Sequence, residues 1–338
     1  MRAALLKKVG DPFVVEDVPV PEIGPDDVLV ESKACGICRT DLHIQDGLAY
    51  IPDFPHTPGH EPAGVVKEVG SNITDFKPGD RVTPHLFVRS QDCCYSRAGH
   101  DAQALHVEGI IGVTLPGGFA EYFRAPARNL IKLPDEVSFE DGGLTSCAVI
   151  TAVHGFRRAR MQLGESAVVL GSGGIGVLLI QLLKNAGVKT VGMARSQASL
   201  DLAMEAGADL AVCANDADAA DQVRAFSGAD GVDCVFEMVG FAGTMKQAAD
   251  CARRQGRIVV IGEEADFPEI NTIQIAQREL EIIGSRNGGF QDAMDSISLM
   301  AQGVLRPPIA ARFKLEEINE AMEAVRQGKV HGRVIVSP

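Results

Sequence analysis

Ser166-Ala167-Val168-Val169-Leu170 is an apolar run that leads directly into Gly171-Ser172-Gly173-Gly174-Ile175-Gly176 and then into a second apolar stretch reaching Ala186. A strand that is apolar on both faces belongs inside a parallel sheet covered by helices. The glycines behind it have separate tasks. The first permits a tight turn, the next lets backbone approach a pyrophosphate, and the last lets the following helix pack close to the strand with its N-terminus toward the anion. Such a pattern is weak in isolation. Set between a strand and a helix, Gly171, Gly173, Gly174, Ile175 and Gly176 read as a dinucleotide-binding turn.

The rest of the second half repeats this alternation. Apolar runs recur at 190–193, Leu210–Cys213, 232–236, 257–261 and 280–283, with helical patterns between them, one over 200–206. Strand and helix alternating at this interval predict an α/β domain with a doubly wound parallel sheet over residues 150–285. Earlier, short alternating runs around Val14, 27–31, 63–70 and 80–84 are broken by Pro12, Pro19, Pro21 and Pro25, which suits antiparallel strands. A polar helical region follows 286, and 328–336 reads as a last strand returning to the first domain. The expected division is therefore 1–149 with 286–338 as a mostly β domain, and 150–285 as the nucleotide domain. A chain of 338 residues suits two cores better than one.

The formal net charge of −13 disfavours nucleic acid and anionic membranes as partners and leaves small molecules. No apolar run approaches the roughly 20 residues of a membrane helix. The opening Met1-Arg2-Ala3-Ala4-Leu5-Leu6-Lys7-Lys8 is too quickly charged for a signal peptide, so the expected location is cytoplasmic. The eight cysteines should then be reduced, serving as core fillers or metal ligands.

One stretch favours the second role. Cys35-Gly36-Ile37-Cys38-Arg39-Thr40-Asp41-Leu42-His43, with Gly59-His60-Glu61 and Cys147, offers thiolates and an imidazole, the donors that hold a catalytic Zn²⁺ while leaving one position for substrate. At the end of the second strand, where a carboxylate would bind the adenosine ribose, the chain has Ala194-Arg195-Ser196. A guanidinium there, with no carboxylate to repel a 2′-phosphate, favours NADP(H) over NAD(H).

Gly36-Ile37-Cys38-Arg39-Thr40-Asp41-Leu42-His43, Pro58-Gly59-His60-Glu61, Gly118-Phe119-Ala120-Glu121-Tyr122, Cys147, the glycine turn and Gly332-Arg333 together resemble the zinc-containing alcohol dehydrogenases of the medium-chain dehydrogenase/reductase superfamily. The resemblance covers essentially the whole chain. It implies a GroES-like catalytic domain beside a Rossmann domain, and hydride transfer between a nicotinamide cofactor and an alcohol, aldehyde or ketone. It implies zinc ligation by Cys38, His60 and Cys147, with Cys35 a buried thiol and Asp41 receiving the second imidazole N–H of His60. It also implies that Glu61 sits beside the metal, that Thr40 and His43 carry the hydroxylic proton away, and that Arg39 and Arg333 grip the pyrophosphate.

Many relatives hold a second, structural zinc on four cysteines. The corresponding positions here are Ser90, Cys93, Ser96 and Ala104, which removes that tetrathiolate and predicts one zinc per chain. The lobe is expected to be filled by Leu86, Phe87, Leu105 and Val107, with a substitute site drawn from Cys93, Cys94, His85, His100 or His106 as the other possibility. Tyr50, Ile51, Phe54, Phe87 and Phe119 are candidates for an apolar substrate pocket or for the core. Cys147, in place of the carboxylate of polyol-acting relatives, leans toward simple hydrophobic alcohols. A homodimer or homotetramer is implied, joined at an edge over 259–270. Two other readings stand beside this one: a zinc-free quinone or enone reductase of the same fold, and a non-catalytic nucleotide-binding or structural protein.

Overall fold

The computed structural model describes residues 1–89, 92–264 and 266–338. The chain divides into two units, Met1–Ile150 with Gly288–Pro338, and Thr151–Asn287.

In the second unit the strands lie in the order Leu210–Cys213, Lys189–Ala194, Ser166–Leu170, Val232–Glu237, Ala252–Val260 and Glu281–Gly284. Every neighbouring pair is parallel. The order changes direction between Ser166–Leu170 and Val232–Glu237, the switch point at which the carboxyl ends of such strands open a crevice for ligand. Val168, Val169, Val191, Val235 and Val259 are fully buried. Their branched side chains, stiff at χ1, suit strands covered on both faces. The following helix, Gly176–Asn185, buries residues all round, including Leu178, Leu179, Ile180 and Leu183. Ala252–Val260 is paired on both sides, so the expected edge at 259–270 is not a sheet edge; Glu281–Gly284 is.

In the first unit, one sheet runs Ile309–Lys314, Arg333–Ser337, Asp27–Ile37, Glu61–Val69, Arg81–Pro84 and Leu130–Lys132, with Tyr122–Pro126 also paired to Asp27–Ile37. The last strand does return here: Val334 lies opposite Ile37 and Val336 opposite Cys35, antiparallel. Two features depart from the sequence pattern. Asp27–Ile37 runs for 11 residues and carries Cys35 inside the strand. Ile309–Lys314 is a strand of alternating half-burial at the sheet's edge, too polar to stand out as an apolar run.

The lobe is not filled as expected. Leu86 and Phe87 are buried, but Leu105 is 68% and Val107 38% exposed. Polar contacts hold it instead: fully buried Asp101 accepts from Arg89 Nη1 at 3.4 Å and from the backbone N–H of Phe290 at 2.8 Å. Cys93 Sγ accepts from the Leu105 N–H at 3.4 Å. Ser90 lies outside the described residues. No helix among the described residues is long and apolar enough to cross a membrane.

Candidate active site

The strand Asp27–Ile37 delivers the chain to Cys38, whose extended backbone precedes the helix Arg39–Asp46. Asp41, in the helix's first turn and fully buried, accepts the Cys38 N–H on Oδ2 at 2.8 Å. Its Oδ1 is 3.2 Å from His60 Nδ1. In the neutral ring that bond places the proton on Nδ1, toward Asp41, and leaves Nε2 with its lone pair. Cys147 arrives from elsewhere, between the 3₁₀ turn Leu144–Ser146 and the helix Ala148–Ala159. Its Sγ is 3.9 Å from that of Cys38. One donor atom from each of Cys38, His60, Glu61 and Cys147 lies within 4.8 Å of the others, the one such group among the described residues. Cys35 stands outside it, with Sγ 3.7 Å from the Gly36 carbonyl.

This donor set fits zinc. Two sulfurs each ~2.3 Å from a tetrahedral ion are separated by about 3.8 Å, close to the spacing here. Among the described residues His60 Nε2 is buried without a hydrogen-bond partner, a costly state for a nitrogen with nothing to bind. Burial alone would depress the His60 pKa, but the charge and hydrogen bond of Asp41 hold it well above its ordinary value. The hydrogen bond between the thiols holds Cys38 well below its ordinary value, against desolvation and with help from His60, and raises Cys147 correspondingly. The pocket thus stabilises a thiolate away from bulk water, as a soft divalent cation requires.

Glu61 is fully buried, and its Oε2 accepts from Arg333 Nη2. A Cβ at Gly36 would lie 2.1 Å from that same oxygen, so glycine is required there for the carboxylate to fit. Oε1 has no partner. Burial pushes the Glu61 carboxyl up to about 7, against the pull of the guanidinium.

The glycine turn has the geometry its sequence predicts. Gly171 has φ +108, a conformation L side chains rarely adopt, and a Cβ at Gly176 would lie 2.2 Å from the Gly171 carbonyl oxygen. A Cβ at exposed Gly173 would meet nothing within 4 Å, so this side of the turn is open to a ligand.

Residues 24–135 match the family model described as the alcohol dehydrogenase GroES-like domain, and 174–302 match that of the zinc-binding dehydrogenases. An alcohol dehydrogenase of Geobacillus stearothermophilus is 33% identical over 99% of both chains. The chain belongs to the zinc-type medium-chain alcohol dehydrogenases. It is an oxidoreductase of the NAD(P)-using, zinc-binding kind. An NAD-dependent alcohol dehydrogenase of Sulfurisphaera tokodaii is 28% identical over the full length of both chains. A Sinorhizobium meliloti chain crystallised with NADP superposes with a TM-score of 0.88 at 32% identity, covering 100% of this chain and 99% of that one.

Within this dehydrogenase, Thr40 and His43 are both half-buried and sit three residues apart on one helix face. Thr40 Oγ1 is 3.8 Å from Cys38 Sγ. Arg39 is exposed at the start of the same helix. Ala194 is buried at the end of its strand; Arg195 is exposed with no ion-pair partner among the described residues; Ser196 caps the next helix through Ser199 N–H. Phe119 belongs to the core, edge-on to Phe13 with ring centroids 6.3 Å apart. Phe87 is likewise core, Tyr50 and Phe54 pack partly against it, and Ile51 is exposed. Arg333 is buried against Glu61 rather than standing free for a phosphate. Glu237, fully buried at the end of its strand, was not singled out by the sequence pattern at all.

Proposed function

We propose that this alcohol dehydrogenase carries one zinc per chain on Cys38, His60 and Cys147 and transfers hydride between NADP(H) and a small hydrophobic alcohol or its aldehyde or ketone. The observation that carries this reading is the buried group of two sulfurs and an unpartnered imidazole nitrogen. Bound there, zinc supplies Lewis acidity toward a substrate oxygen. The chain's own residues supply the rest. Asp41 holds the His60 ring in the tautomer that presents Nε2. Thr40 takes the substrate's hydroxylic proton into a hydrogen-bonded path that leaves by way of His43. Glu61, anchored by Arg333, keeps a second carboxylate oxygen beside the donor group. The glycine turn, at the N-terminus of its helix, holds the pyrophosphate.

The NADP(H) preference is supported by exposed Arg195, which has no ion-pair partner among the described residues, and by the absence of a carboxylate from Ala194-Arg195-Ser196. A single zinc, with no structural ion, is supported by the lobe's reliance on Asp101 and its one surviving thiol at the four family positions. Assembly as a homodimer or homotetramer is supported by the edge strand Glu281–Gly284, where Ile282 is 41% exposed. The location we assign is cytoplasmic, in keeping with eight free thiols among the described residues.

A panel of alcohols, aldehydes and ketones assayed with both coenzymes tests this reading, alongside zinc content. We expect turnover of apolar substrates with higher kcat/KM for NADPH than NADH, lost with the metal on chelation and restored by zinc. Turnover that persists in zinc-free protein would overturn it.

A further inference from the structure

Cys147 stands 109 residues from Cys38 along the chain, yet the two sulfurs lie 3.9 Å apart. The segment just before Cys147 brings it there. At Gly143 the chain crosses the start of the strand Glu61–Val69 so closely that an added Cβ would lie 2.5 Å from the Glu61 carbonyl oxygen. Leu144, fully buried, packs against Gly36, where an added Cβ would lie 2.6 Å from its Cδ2. Packing of this kind brings the turn close but gives it little direction.

Direction comes from two hydroxyls. Thr83, in the strand Arg81–Pro84, and Ser146, the residue before Cys147, are both fully buried. Thr83 Oγ1 donates to the Pro62 carbonyl at 2.9 Å, and Ser146 Oγ donates to the Pro84 carbonyl at 2.7 Å. The two oxygens lie 3.3 Å from each other. A hydroxyl has one proton to give, and each of these gives it to the backbone of a strand end. Pro62 follows His60 and Glu61 directly in the chain, so the turn that ends at Cys147 is fixed to the strand that begins beside the imidazole. Removing either hydroxyl leaves a buried carbonyl without its donor and loosens the turn at the point where it delivers Cys147.

We infer that Ser146 and Thr83 are positioning residues for Cys147: their adjacent hydroxyls hold the Leu144–Ser146 turn against Pro62 and Pro84, so that the Cys147 sulfur meets Cys38 and His60 at the spacing a tetrahedral cation requires. This rests on the zinc reading above and extends it to two residues that are not themselves donors to the metal.

The test measures zinc affinity of the full-length protein by competition with a chromophoric chelator, with the absorption of the Co²⁺-loaded protein and coenzyme affinity recorded beside it. Thr83→Val keeps the branched shape without the hydroxyl, and Thr83→Ser keeps the hydroxyl. Ser146→Ala and Thr83→Val should each weaken zinc by about tenfold, the scale on which groups behind a metal's ligands act, and shift the thiolate-to-cobalt charge-transfer band while coenzyme affinity stays the same. Thr83→Ser should remain within about twofold of wild type. In a Cys147→Ser background, Ser146→Ala should cost less than about twofold, because the sulfur it positions is gone. If Thr83→Val does not fold, the Ser146→Ala measurements decide alone. Unchanged zinc affinity and cobalt spectrum in Ser146→Ala, equal losses in Thr83→Val and Thr83→Ser, or a full loss that persists without Cys147 overturns the assignment. Wild type that binds no zinc, or Cys147→Ser that binds it as tightly as wild type, overturns the zinc reading itself.

Discussion

Asp41 Oδ1 lies 3.2 Å from His60 Nδ1 while the other oxygen of the same carboxylate accepts the Cys38 N–H at 2.8 Å. One buried side chain thus sets the position of two of the three proposed zinc donors, the ring through its tautomer and the sulfur through its backbone. Asp41→Asn should weaken zinc binding by roughly 10- to 100-fold, the usual cost of losing a carboxylate behind a metal-bound imidazole. Competition with a chromophoric chelator measures it, and NADPH affinity should not change.

The Glu61–Arg333 pair is buried on both sides. Arg333→Leu leaves a carboxylate without its cation and should lower stability by about 3–5 kcal/mol, while the double variant Glu61→Gln/Arg333→Leu should recover most of that loss. Denaturant unfolding of the two variants measures the difference. Similar stability for both would mean that the pair contributes little.

Coenzyme choice is the most direct test of Arg195. Ala194→Asp places a negative charge beside the position proposed for the 2′-phosphate and should move preference toward NADH, read as the ratio of kcat/KM values for the two coenzymes. Wild type that already prefers NADH would remove the proposed role of Arg195.

His56 provides a pH dependence apart from catalysis. Its backbone is paired with Leu6 and its ring is buried, which lowers its pKa to about 4 against a bond to the Gly112 backbone. The unfolded chain takes up this proton near pH 6.5 and the folded chain only near 4, so stability from this residue falls as pH drops between those values, by about 3 kcal/mol in all. His56→Gln should show a shallower fall in Tm between pH 7.5 and 4.5.

The parallel sheet was legible because burial on both faces leaves continuous apolar runs, and the glycine turn because its backbone demands leave few alternatives to glycine. The thiol and imidazole motifs pointed to a metal, but proximity between residues as distant as 38 and 147 is tertiary and no local pattern contains it. Ile309–Lys314 escaped notice because an edge strand need not be apolar. Leu105 and Val107 were misplaced because side-chain chemistry alone does not say which face of a short strand is covered. The burial of Arg333 was not legible for a related reason: its partner, the distant carboxylate of Glu61, is brought beside it only once the strands are assembled.

Zinc content, measured on wild type and Cys38→Ser purified side by side with NADPH affinity recorded for both, tests the central claim most directly. The account predicts about one zinc per wild-type chain, less than about a tenth of that in Cys38→Ser, and the same NADPH affinity in each. Full zinc occupancy in Cys38→Ser, or two tightly held ions per wild-type chain, would contradict it.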